Sequence, residues 1–583
     1  MARLDPHSQT DLGQPHQKHL SWKAEVDFAG RTLRGTATLR FDRGGSPVDL
    51  DSRGLVIESV TAVDGGPLRF ELGSPEPILG ERLRVDLPPG VDTCVIRYRT
   101  GADASALQWL EREQTAGGKA PFLYSQCQAI HARSVVPLQD TPRLRITYEA
   151  ELTVPAALRA LMAAAFVDRE VRGDRAVERY RMDEPIPPYL FAFAVGDLEF
   201  RDLGPRSRVW AEPSVVGRAA HEFASVDRML TSAEALFGPY PWGRFDLLVL
   251  PPSFPYGGME NPRLTFLTPT LLTGDRSLVS VVAHELSHSW TGNLVSNASA
   301  EDFWLNEGFT VFAERRILEV LEGPEMVALH AAVGRQALDE AVANFRDRPQ
   351  LTRLRTRLQG VDPDDAFSQV PYEKGFLFLR ALEDAVGRPA FDGFLRRYME
   401  TFRFQSVTTE ELLDLVRTEL PGALEAVDAP RWIDGEGVPP GAPVARSSRL
   451  EQVEALKAQV PPPAAKDWSP WEWQVYLNHL PRPSPAELMT ELDERFHLTR
   501  AANPEVLVAW LTVAIRSGHV PAVRRAEELL GEVGRMKYLK PLYAALIAGP
   551  GTRPLADACA RRYRMRYHVI AAAGVDSLLR KGA

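Results

Sequence analysis

Two histidines and a glutamate lie within five consecutive residues, in the order His284, Glu285, Leu286, Ser287, His288. The surrounding segment, LVSVVAHELSHSWTGN, repeats apolar residues at helical spacing and predicts a helix. Residues four apart are neighbours on one face of a helix, so His284 and His288 can offer two imidazoles to one ion. Glu285, rotated by about 100° along the helix, would face a water molecule on that ion. The motif therefore predicts a metal site with a general base beside it.

A third ligand is found on a second predicted helix, FWLNEGFTVFAERRI, which contains Glu307. Two imidazoles and one carboxylate leave a fourth position of the ion open to water, which is the pattern of catalytic rather than structural zinc. The sequence thus predicts one Zn²⁺ per chain, held by His284, His288 and Glu307. Glu314, on the same predicted helix, is a candidate hydrogen-bond partner of a ligand, and a solvated charge is the alternative interpretation.

The elements that precede these helices have a different pattern. Residues 21–197 contain short β-branched or alternating runs, such as Thr36–Phe41 and Leu144–Val154, separated by clusters of Gly, Pro and Asp. This pattern is typical of strands joined by turns, and it predicts an amino-terminal β-sandwich-like domain. Residues 1–20 are polar, and we expect them to form a flexible leader.

Both metal motifs lie in residues 198–434, where helical spacing dominates. Residues 435–467 include GEGVPPGAPVARSS and a PPP run, which cannot continue a helix or a central strand, so they are interpreted as an interdomain linker. Residues 468–583 return to amphipathic segments that begin at Ser, Asn or Pro, and they predict a solenoid-like helical domain. The expected fold class is α+β, with three domains.

The composition excludes several classes of protein. The chain has 583 residues, and its formal charge of 68 − 77 = −9 disfavours a nucleic acid or an anionic membrane as partner. The chain has three cysteines, Cys94, Cys127 and Cys559, which are far apart in the sequence. Their odd number and wide spacing indicate no disulfide framework and fit a reducing compartment. No apolar stretch reaches the ~18–20 residues of a membrane span, and the leader has no apolar signal core. A cytoplasmic protein is expected.

The spacing of HELSH and NEG resembles the zinc signature of the gluzincin metallo-aminopeptidases, whose catalytic domain is thermolysin-like. Upstream, the run Gly257, Gly258, Met259, Glu260 and Asn261 is similar to the Gly-x-Met-Glu-Asn motif of the same family. The resemblance implies that the Glu260 carboxylate binds the free α-amino group of a peptide. It also implies that the backbone of the three preceding residues pairs with the extended substrate as an added strand.

A further motif, PYEKG, resembles the family's oxyanion-stabilising segment, and the resemblance implies that the Tyr372 phenol donates a hydrogen bond to the tetrahedral oxyanion. Four stretches resemble the leukotriene A4 hydrolase branch more closely: SQCQAIHAR, PPSFPYGGMENP, DPDDAFSQVPYEKG and GRMKYLKPLY. This implies a peptide cleft that is lined by Gln128, Ala129 and Tyr256, with Asp365 deeper in the pocket. Arg535 and Lys537 match positions that grip the carboxylate of a substrate.

One departure separates the chain from the bifunctional hydrolase of that branch, since Phe367 stands where that enzyme has Tyr. The resemblance therefore favours a monomeric zinc aminopeptidase that acts on di- and tripeptides, and Asp365 would favour a basic first side chain. Two alternatives remain open: hydrolysis of a lipid epoxide, which Phe367 disfavours, and a non-catalytic scaffold stabilised by zinc, which the general base Glu285 and the phenol of Tyr372 disfavour.

Overall fold

Side chains alternate between buried and exposed along the first strands of the computed structural model, which describes residues 5–581. In β1 (Gln17–Asp27) the buried positions include Leu20, Trp22 and Val26. A period of two places these residues on one face of a sheet, where they form a core. Trp22 Nε1 donates a hydrogen bond to the Tyr98 hydroxyl at 2.8 Å, so the polar end of each buried aromatic is satisfied.

The amino-terminal domain is rich in strands, as predicted. After β1 these are β2 (Thr32–Phe41), β3 (Val48–Ser52), β4 (Val56–Thr61), β5 (Phe70–Leu72), β6 (Glu81–Val85), β7 (Thr93–Arg99), β8 (Leu107–Leu110), β9 (Phe122–Ser125), β10 (Ile146–Pro155), β11 (Arg159–Met162), β12 (Ala165–Arg172), β13 (Arg175–Ile186) and β14 (Phe193–Gly196). They form open sheets with the orders β12-β13-β10-β1-β2-β7-β4, β11-β14-β9-β8 and β3-β6-β5. β1 runs parallel to β10, with His19 opposite Thr147, and its other neighbour, β2, is antiparallel.

The middle domain begins with a sheet rather than with helices. Its strands are β15 (Glu199–Gly204), β16 (Ser207–Ala211), β17 (Asp246–Val249), β18 (Gly258–Met259) and β19 (Leu264–Leu267), in the order β15-β16-β17-β19-β18. β18 is therefore an edge strand, as the resemblance implies. A two-stranded parallel sheet pairs β20 (Val295–Asn297) with β21 (Gln405–Val407).

Helices make up most of the rest of this domain. They are α1 (Val216–Glu222), α2 (Val226–Phe237), α3 (Ser280–Ser287), α4 (Trp304–Glu322), α5 (Pro324–Asn344), α6 (Pro363–Ala366), α7 (Gly375–Val386), α8 (Arg388–Thr401), α9 (Thr409–Glu419), α10 (Ala423–Ala426) and α11 (Ala429–Ile433). A π-helical turn, Val370–Lys374, precedes α7 directly. Both sequence motifs for the metal centre thus lie on helices, α3 and α4, which pack against each other.

The carboxy-terminal domain is helical, as predicted. Its helices are α12 (Ser448–Ala455), α13 (Pro470–His479), α14 (Ala486–Phe496), α15 (Pro504–Arg516), α16 (Val520–Glu532), α17 (Met536–Ala548), α18 (Arg553–Tyr563) and α19 (Val569–Lys581). Asn503 caps α15 through its side chain, which accepts hydrogen bonds from two backbone N–H groups. Across the described residues 5–581, no helix is both long enough and apolar enough to span a membrane.

The linker prediction for residues 435–467 is wrong in part, because α12 lies inside this stretch. The Ser447 side chain accepts a hydrogen bond from Leu450 N, which is the N-cap that starts the helix. Leu450 and Val453 on this helix are buried in the core of the carboxy-terminal domain. The Pro-rich pattern therefore does not indicate the short capped helix that lies within this stretch.

The expectation of a flexible leader is also wrong for the described part of residues 1–20, which begins at residue 5. His7 and Ser8 are fully buried. Ser8 Oγ and Gln9 N donate to the two carboxylate oxygens of Asp51, at 2.6 and 2.7 Å. The backbone oxygen of His7 accepts a hydrogen bond from Arg133 at 2.7 Å. Polar residues pack here because the buried charges of Asp51 and Arg133 need partners.

We predict that Arg133→Met destabilises the amino-terminal domain strongly. Arg133 is fully buried, with its Nε atom 3.0 Å from Asp140 Oδ2 and Nη1 3.7 Å from Asp51 Oδ1. Removing it leaves two buried carboxylates unpaired, at a cost of about 3–5 kcal/mol in the free energy of unfolding. Calorimetry and urea unfolding measure the change. Arg172→Met, which breaks an exposed pair with Glu170, is the control, and equal midpoints for the two variants would contradict the prediction.

Candidate metal centre and peptide-binding cleft

His284 and Glu285 lie in α3, and His288 caps the carboxyl end of that helix. The two imidazole rings are nearly perpendicular, with an interplanar angle of 84° and centroids 4.8 Å apart. Glu307 lies in the first turn of α4, and its Oε2 atom is 3.3 Å from His284 Nε2 and 3.5 Å from His288 Nε2. The structure therefore brings together the three residues that the sequence predicts as metal ligands.

The other ring nitrogen of each histidine already has a partner. His284 Nδ1 lies 3.0 Å from Glu314 Oε2, and His288 Nδ1 lies 3.1 Å from the carbonyl oxygen of Thr291 and 3.0 Å from Thr310 Oγ1. A carboxylate and a carbonyl only accept hydrogen bonds, so each Nδ1 carries the proton and each Nε2 lone pair stays available to a metal. Glu314 is thus a partner of His284 and not a solvated charge.

Three buried carboxyl groups surround this position: Glu260, Glu285 and Glu307 are 4%, 6% and 3% exposed. Burial, together with repulsion from the other two, raises the pKa of Glu285 well above its ordinary value, and burial also raises the pKa of Glu260. Within the described chain, Glu307 Oε2 has no hydrogen-bond partner. A divalent cation would offset the repulsion and take up that oxygen. The two nitrogen donors and one oxygen donor fit zinc.

Glu285 lies against the edge strand β18. A Cβ atom at Gly258 would be 2.3 Å from Glu285 Oε1, so only glycine lets the carboxyl group approach the strand this closely. Ligand atoms of Glu260, Glu285 and His288 all lie within 4.8 Å of one another. The residue that the sequence predicts as a general base therefore lies between the metal ligands and a strand edge that an extended peptide could join.

Glu260 follows β18 directly and is held from three sides. Gln128 Nε2 and Asn306 Nδ2 donate to Glu260 Oε1, at 3.3 and 3.4 Å. Asn293 Nδ2 donates to the Glu260 backbone oxygen at 2.6 Å. Gln128 and Glu260 are together, as expected, whereas sequence reasoning assigned no role to the two asparagines. Asn306 could have been found in the sequence, because it directly precedes the predicted metal ligand Glu307 on the same helix.

The side chain of Met259 is not exposed in the peptide-binding cleft, because it is buried and its sulfur accepts a hydrogen bond from Gln126 at 3.1 Å. Only the backbone of this residue is left for a substrate. Its neighbour Gly257 meets Arg535 instead: a Cβ atom at Gly257 would be 2.7 Å from Arg535 Nη2. The strand edge thus runs from the Arg535 guanidinium at one end to the Glu260 carboxyl group at the other.

An apolar pocket lies beside the metal ligands, and its lining includes Gln128, Ala129, Tyr256, Phe303, Phe367 and Pro371. The Tyr372 ring lies near both sites, with its centroid 6.1 Å from that of the metal-ligand candidate His284 and 5.9 Å from that of Phe367 in the pocket lining. Burial and the nearby carboxyl groups raise the pKa of Tyr372 well above its ordinary value, so the phenol keeps its proton. A protonated phenol can donate a hydrogen bond into the site.

The prediction for Asp365 is wrong. Asp365 is exposed on α6, and its neighbour Asp364 lines the pocket instead. Asp364 Oδ2 lies 3.0 Å from His131 Nε2, so the amino-terminal domain already supplies it with a partner. The two adjacent aspartates look equivalent in the sequence. Successive residues of a helix point about 100° apart, and the helix phase decides which of them faces the pocket.

Arg535 and Lys537 lie at the start of α17 and share one carboxylate. Glu505 lies 3.5 Å from Arg535 Nη1 and 2.8 Å from Lys537 Nζ. Arg535 is buried, whereas the Lys537 side chain is 52% exposed. Two cations with one anion leave one net positive charge at this end of the cleft, where the sequence predicts a site for a carboxylate.

Comparison with known proteins agrees with this architecture. Three family models match the chain: the Peptidase M1 N-terminal domain over residues 16–190, the Peptidase family M1 domain over 221–432, and the Leukotriene A4 hydrolase, C-terminal model over 468–579. The leukotriene A-4 hydrolase of Xenopus laevis is 40% identical over 570 residues, which cover 93% of each chain. Leucine aminopeptidase 2 of Yarrowia lipolytica is 38% identical over 558 residues, which cover 90% of this chain and 85% of the relative.

Solved structures give the same result. Yeast LTA4 hydrolase in complex with bestatin superposes with a TM-score of 0.91 at 31% identity, and the match covers 99% of this chain and 97% of that one. A two-domain M1 zinc metallopeptidase variant bound to L-arginine matches with a TM-score of 0.61 at 25% identity, over 76% of this chain and 100% of that one. The predicted resemblance and the three-domain architecture are thus confirmed, and the chain belongs to the M1 family of zinc metallopeptidases, with a carboxy-terminal domain of the leukotriene A4 hydrolase type.

Proposed function

We propose that this protein is an aminopeptidase that releases single amino acids from the amino terminus of short peptides. The observation that carries the proposal is the position of Glu260, a buried carboxyl group at the end of an edge strand and within 4.8 Å of Glu285. An α-ammonium group paired with Glu260 would bring the first peptide bond to the metal centre. The relative named leucine aminopeptidase 2 supports this reading.

The metal centre divides its work among four residues. His284, His288 and Glu307 would hold a zinc ion, which when bound would supply Lewis-acid activation. Glu285 is placed to accept a proton from the attacking water and to donate it to the leaving amine. Burial raises the pKa of Glu285, which favours the step in which it donates the proton.

Other residues fix the substrate around this centre. Gln128 helps Glu260 to bind the ammonium group, and the backbone of residues 257–259 pairs with the peptide as an added strand. The Tyr372 hydroxyl donates a hydrogen bond to the oxyanion as it forms. Arg535 and Lys537 bind the carboxylate at the other end, so peptides of two or three residues have both ends held in one cleft.

The first side chain of the substrate enters the pocket lined by Ala129, Tyr256 and Asp364. The lining is largely apolar, and Asp364, which replaces Asp365 in this role, is one of its charged groups together with Asp5 and Arg353. Such a pocket suits arginine or lysine, which have an apolar stem and a cationic head.

We also propose that the protein works as a cytoplasmic monomer. All the residues assigned to the site belong to one chain, so a second copy is not needed for the reaction. The three cysteines are free and buried, which fits a reducing compartment.

The lipid-epoxide alternative has weaker support. The apolar pocket would suit a fatty chain, but position 367 offers no hydroxyl group, since Phe367 packs its ring 5.9 Å from that of Tyr372. A non-catalytic scaffold has no use for the buried Glu285 beside three metal ligands, because a structural zinc site needs no general base.

We predict that tripeptides with a free amino terminus are cleaved and that their acetylated forms are not. Glu260→Gln should lower kcat/KM for the free peptides by at least about 30-fold, since breaking a buried charge pair costs about 2–5 kcal/mol. The measurement is product analysis by mass spectrometry with both substrate forms. Equal cleavage of acetylated peptides by the wild-type protein would overturn the anchoring role of Glu260 and indicate an endopeptidase.

We predict that chelation abolishes cleavage and that added Zn²⁺ restores it.

We also predict that Glu285→Gln lowers kcat by about 10²–10⁴-fold, which is the contribution of a general acid–base residue. The variant should keep its zinc, as measured by metal analysis, because Glu285 is not one of the three ligands. Full activity of Glu285→Gln would favour a different base, and no cleavage by any zinc-loaded form would favour the epoxide or scaffold readings.

We predict that Arg535→Gln weakens binding of tripeptides with a free carboxy terminus and spares their carboxy-terminal amides. Loss of a charge-assisted hydrogen bond of about 1.5–3 kcal/mol corresponds to a change in kcat/KM of roughly 10- to 150-fold. The amidated peptide is the control within the same variant. An equal loss for both peptides would contradict a carboxylate site at Arg535.

A further inference from the structure

The π-helical turn Val370–Lys374 holds Tyr372 at its centre, and the two residues after it are anchored in the interior. Lys374 is fully buried, and its Nζ atom donates to the carbonyl oxygens of Thr352 and Gly435, at 2.9 and 2.7 Å. Glu373 is buried as well and forms an ion pair. A π-helical turn departs from regular helix geometry, so its side-chain directions depend on such contacts.

The partner of Glu373 is Arg315, on the helix that carries Glu307. Arg315 Nη1 and Nη2 donate to the two carboxylate oxygens of Glu373, each at 2.9 Å. The guanidinium carbon lies 4.0 Å from the centroid of the Phe376 ring. Both side chains of the pair are about nine-tenths buried. A planar fork held at two oxygens and against one ring has little freedom to move.

Two glycine contacts bring the same elements close together. A Cβ atom at Gly334, on α5, would be 2.3 Å from Glu373 Oε1, so glycine makes the space that the carboxylate occupies. A Cβ atom at Gly308 would be 2.8 Å from the Cα atom of Gly375. The backbone of α4, one residue after Glu307, therefore touches the backbone that follows the Tyr372 turn.

We propose that Arg315 and Glu373 are positioning residues that fix the Tyr372 hydroxyl relative to the metal ligand Glu307. This inference rests on the proposed function of Tyr372. Helix α4 provides Glu307 itself, orients His284 through Glu314, and orients the Tyr372 turn through Arg315. One rigid helix thus sets the distance between the metal site and the oxyanion donor.

The chemistry requires such precision. An oxyanion donor acts only if it lies about 2.7–3.1 Å from the position that the oxyanion will occupy. A displacement of about 1 Å at a reacting group costs about 10²-fold in rate. A buried ion pair is by itself weak support for stability, because desolvation offsets much of its attraction. The pair instead fixes the geometry of the residue next to Tyr372, and this is the benefit that we assign to it.

The test uses Glu373→Gln and Arg315→Lys, which preserve size or charge and lose the two-point ion pair. Each should lower kcat for a tripeptide by about 10- to 100-fold, with KM and zinc content unchanged. Arg316→Met is the matched control. Arg316 is the next residue of the same helix and its side chain is only 10% exposed, but it pairs with Glu383 and Asp392, on α7 and α8, and not with the turn that carries Tyr372. It should lower the unfolding midpoint and change kcat by less than about twofold.

The decisive measurement repeats both substitutions in a Tyr372→Phe protein. If the pair acts through the phenol, the loss of kcat from Glu373→Gln should nearly vanish there, because the group that it positions is already absent. An equal loss in both backgrounds, or a similar loss of kcat in Arg316→Met, would show a general structural effect and overturn the proposal. Full activity of Tyr372→Phe alone would overturn the role of the phenol and this inference with it. An inactive wild-type protein would instead reject the proposed function.

Discussion

Three carboxyl groups buried within reach of one another are the constraint on which the rest of the site depends. Glu260, Glu285 and Glu307 would repel each other in a low dielectric, and a bound cation would offset that repulsion. The surrounding elements must hold this arrangement against that repulsion. Glu285 approaches the strand closely at Gly258, and α4 approaches α7 closely at Gly308, so the elements that carry or support these carboxyl groups are tightly packed.

The cleft lies where the three domains meet, and under the proposed function this position allows one site to hold both ends of a small substrate. The loop before β18 contacts the amino-terminal domain, where the Tyr124 hydroxyl lies 3.2 Å from Ser253 Oγ. The same loop contacts the carboxy-terminal domain, where Gly534 N donates a hydrogen bond to the Pro252 carbonyl oxygen at 2.7 Å. Gln128 and Arg535 are thus fixed relative to β18 by separate domains. Under the proposed function, Gln128 supports the amino-group anchor Glu260 and Arg535 binds the carboxylate, so domain packing would set the length of peptide that reaches both ends.

Local pattern predicted much of this structure and failed in identifiable places. The metal ligands could be found because a helix places residues four apart on one face, and strands could be found from their period of two. The resemblance implies Asp365, whereas Asp364 lines the pocket, because sequence alone does not give the phase of a four-residue helix. The polar pattern of residues 1–20 predicts a flexible leader, whereas polar residues in the described part are buried against distant partners, Asp51 and Arg133. Asn293 and Arg315 were missed for the same reason, since their roles depend on contacts across the fold.

The sequence Asn306-Glu307-Gly308 shows how closely these demands are combined. Asn306 donates to the Glu260 carboxyl group, Glu307 faces the two histidines, and Gly308 lets the backbone of α4 touch that of α7. Successive residues of a helix point about 100° apart, so three adjacent positions can serve three separate neighbours. Under the proposed function, a shift or rotation of this first turn would disturb the amino-group anchor, the metal ligand and the approach to Tyr372 together. The start of α4 would therefore couple substrate binding to the chemistry of the metal centre.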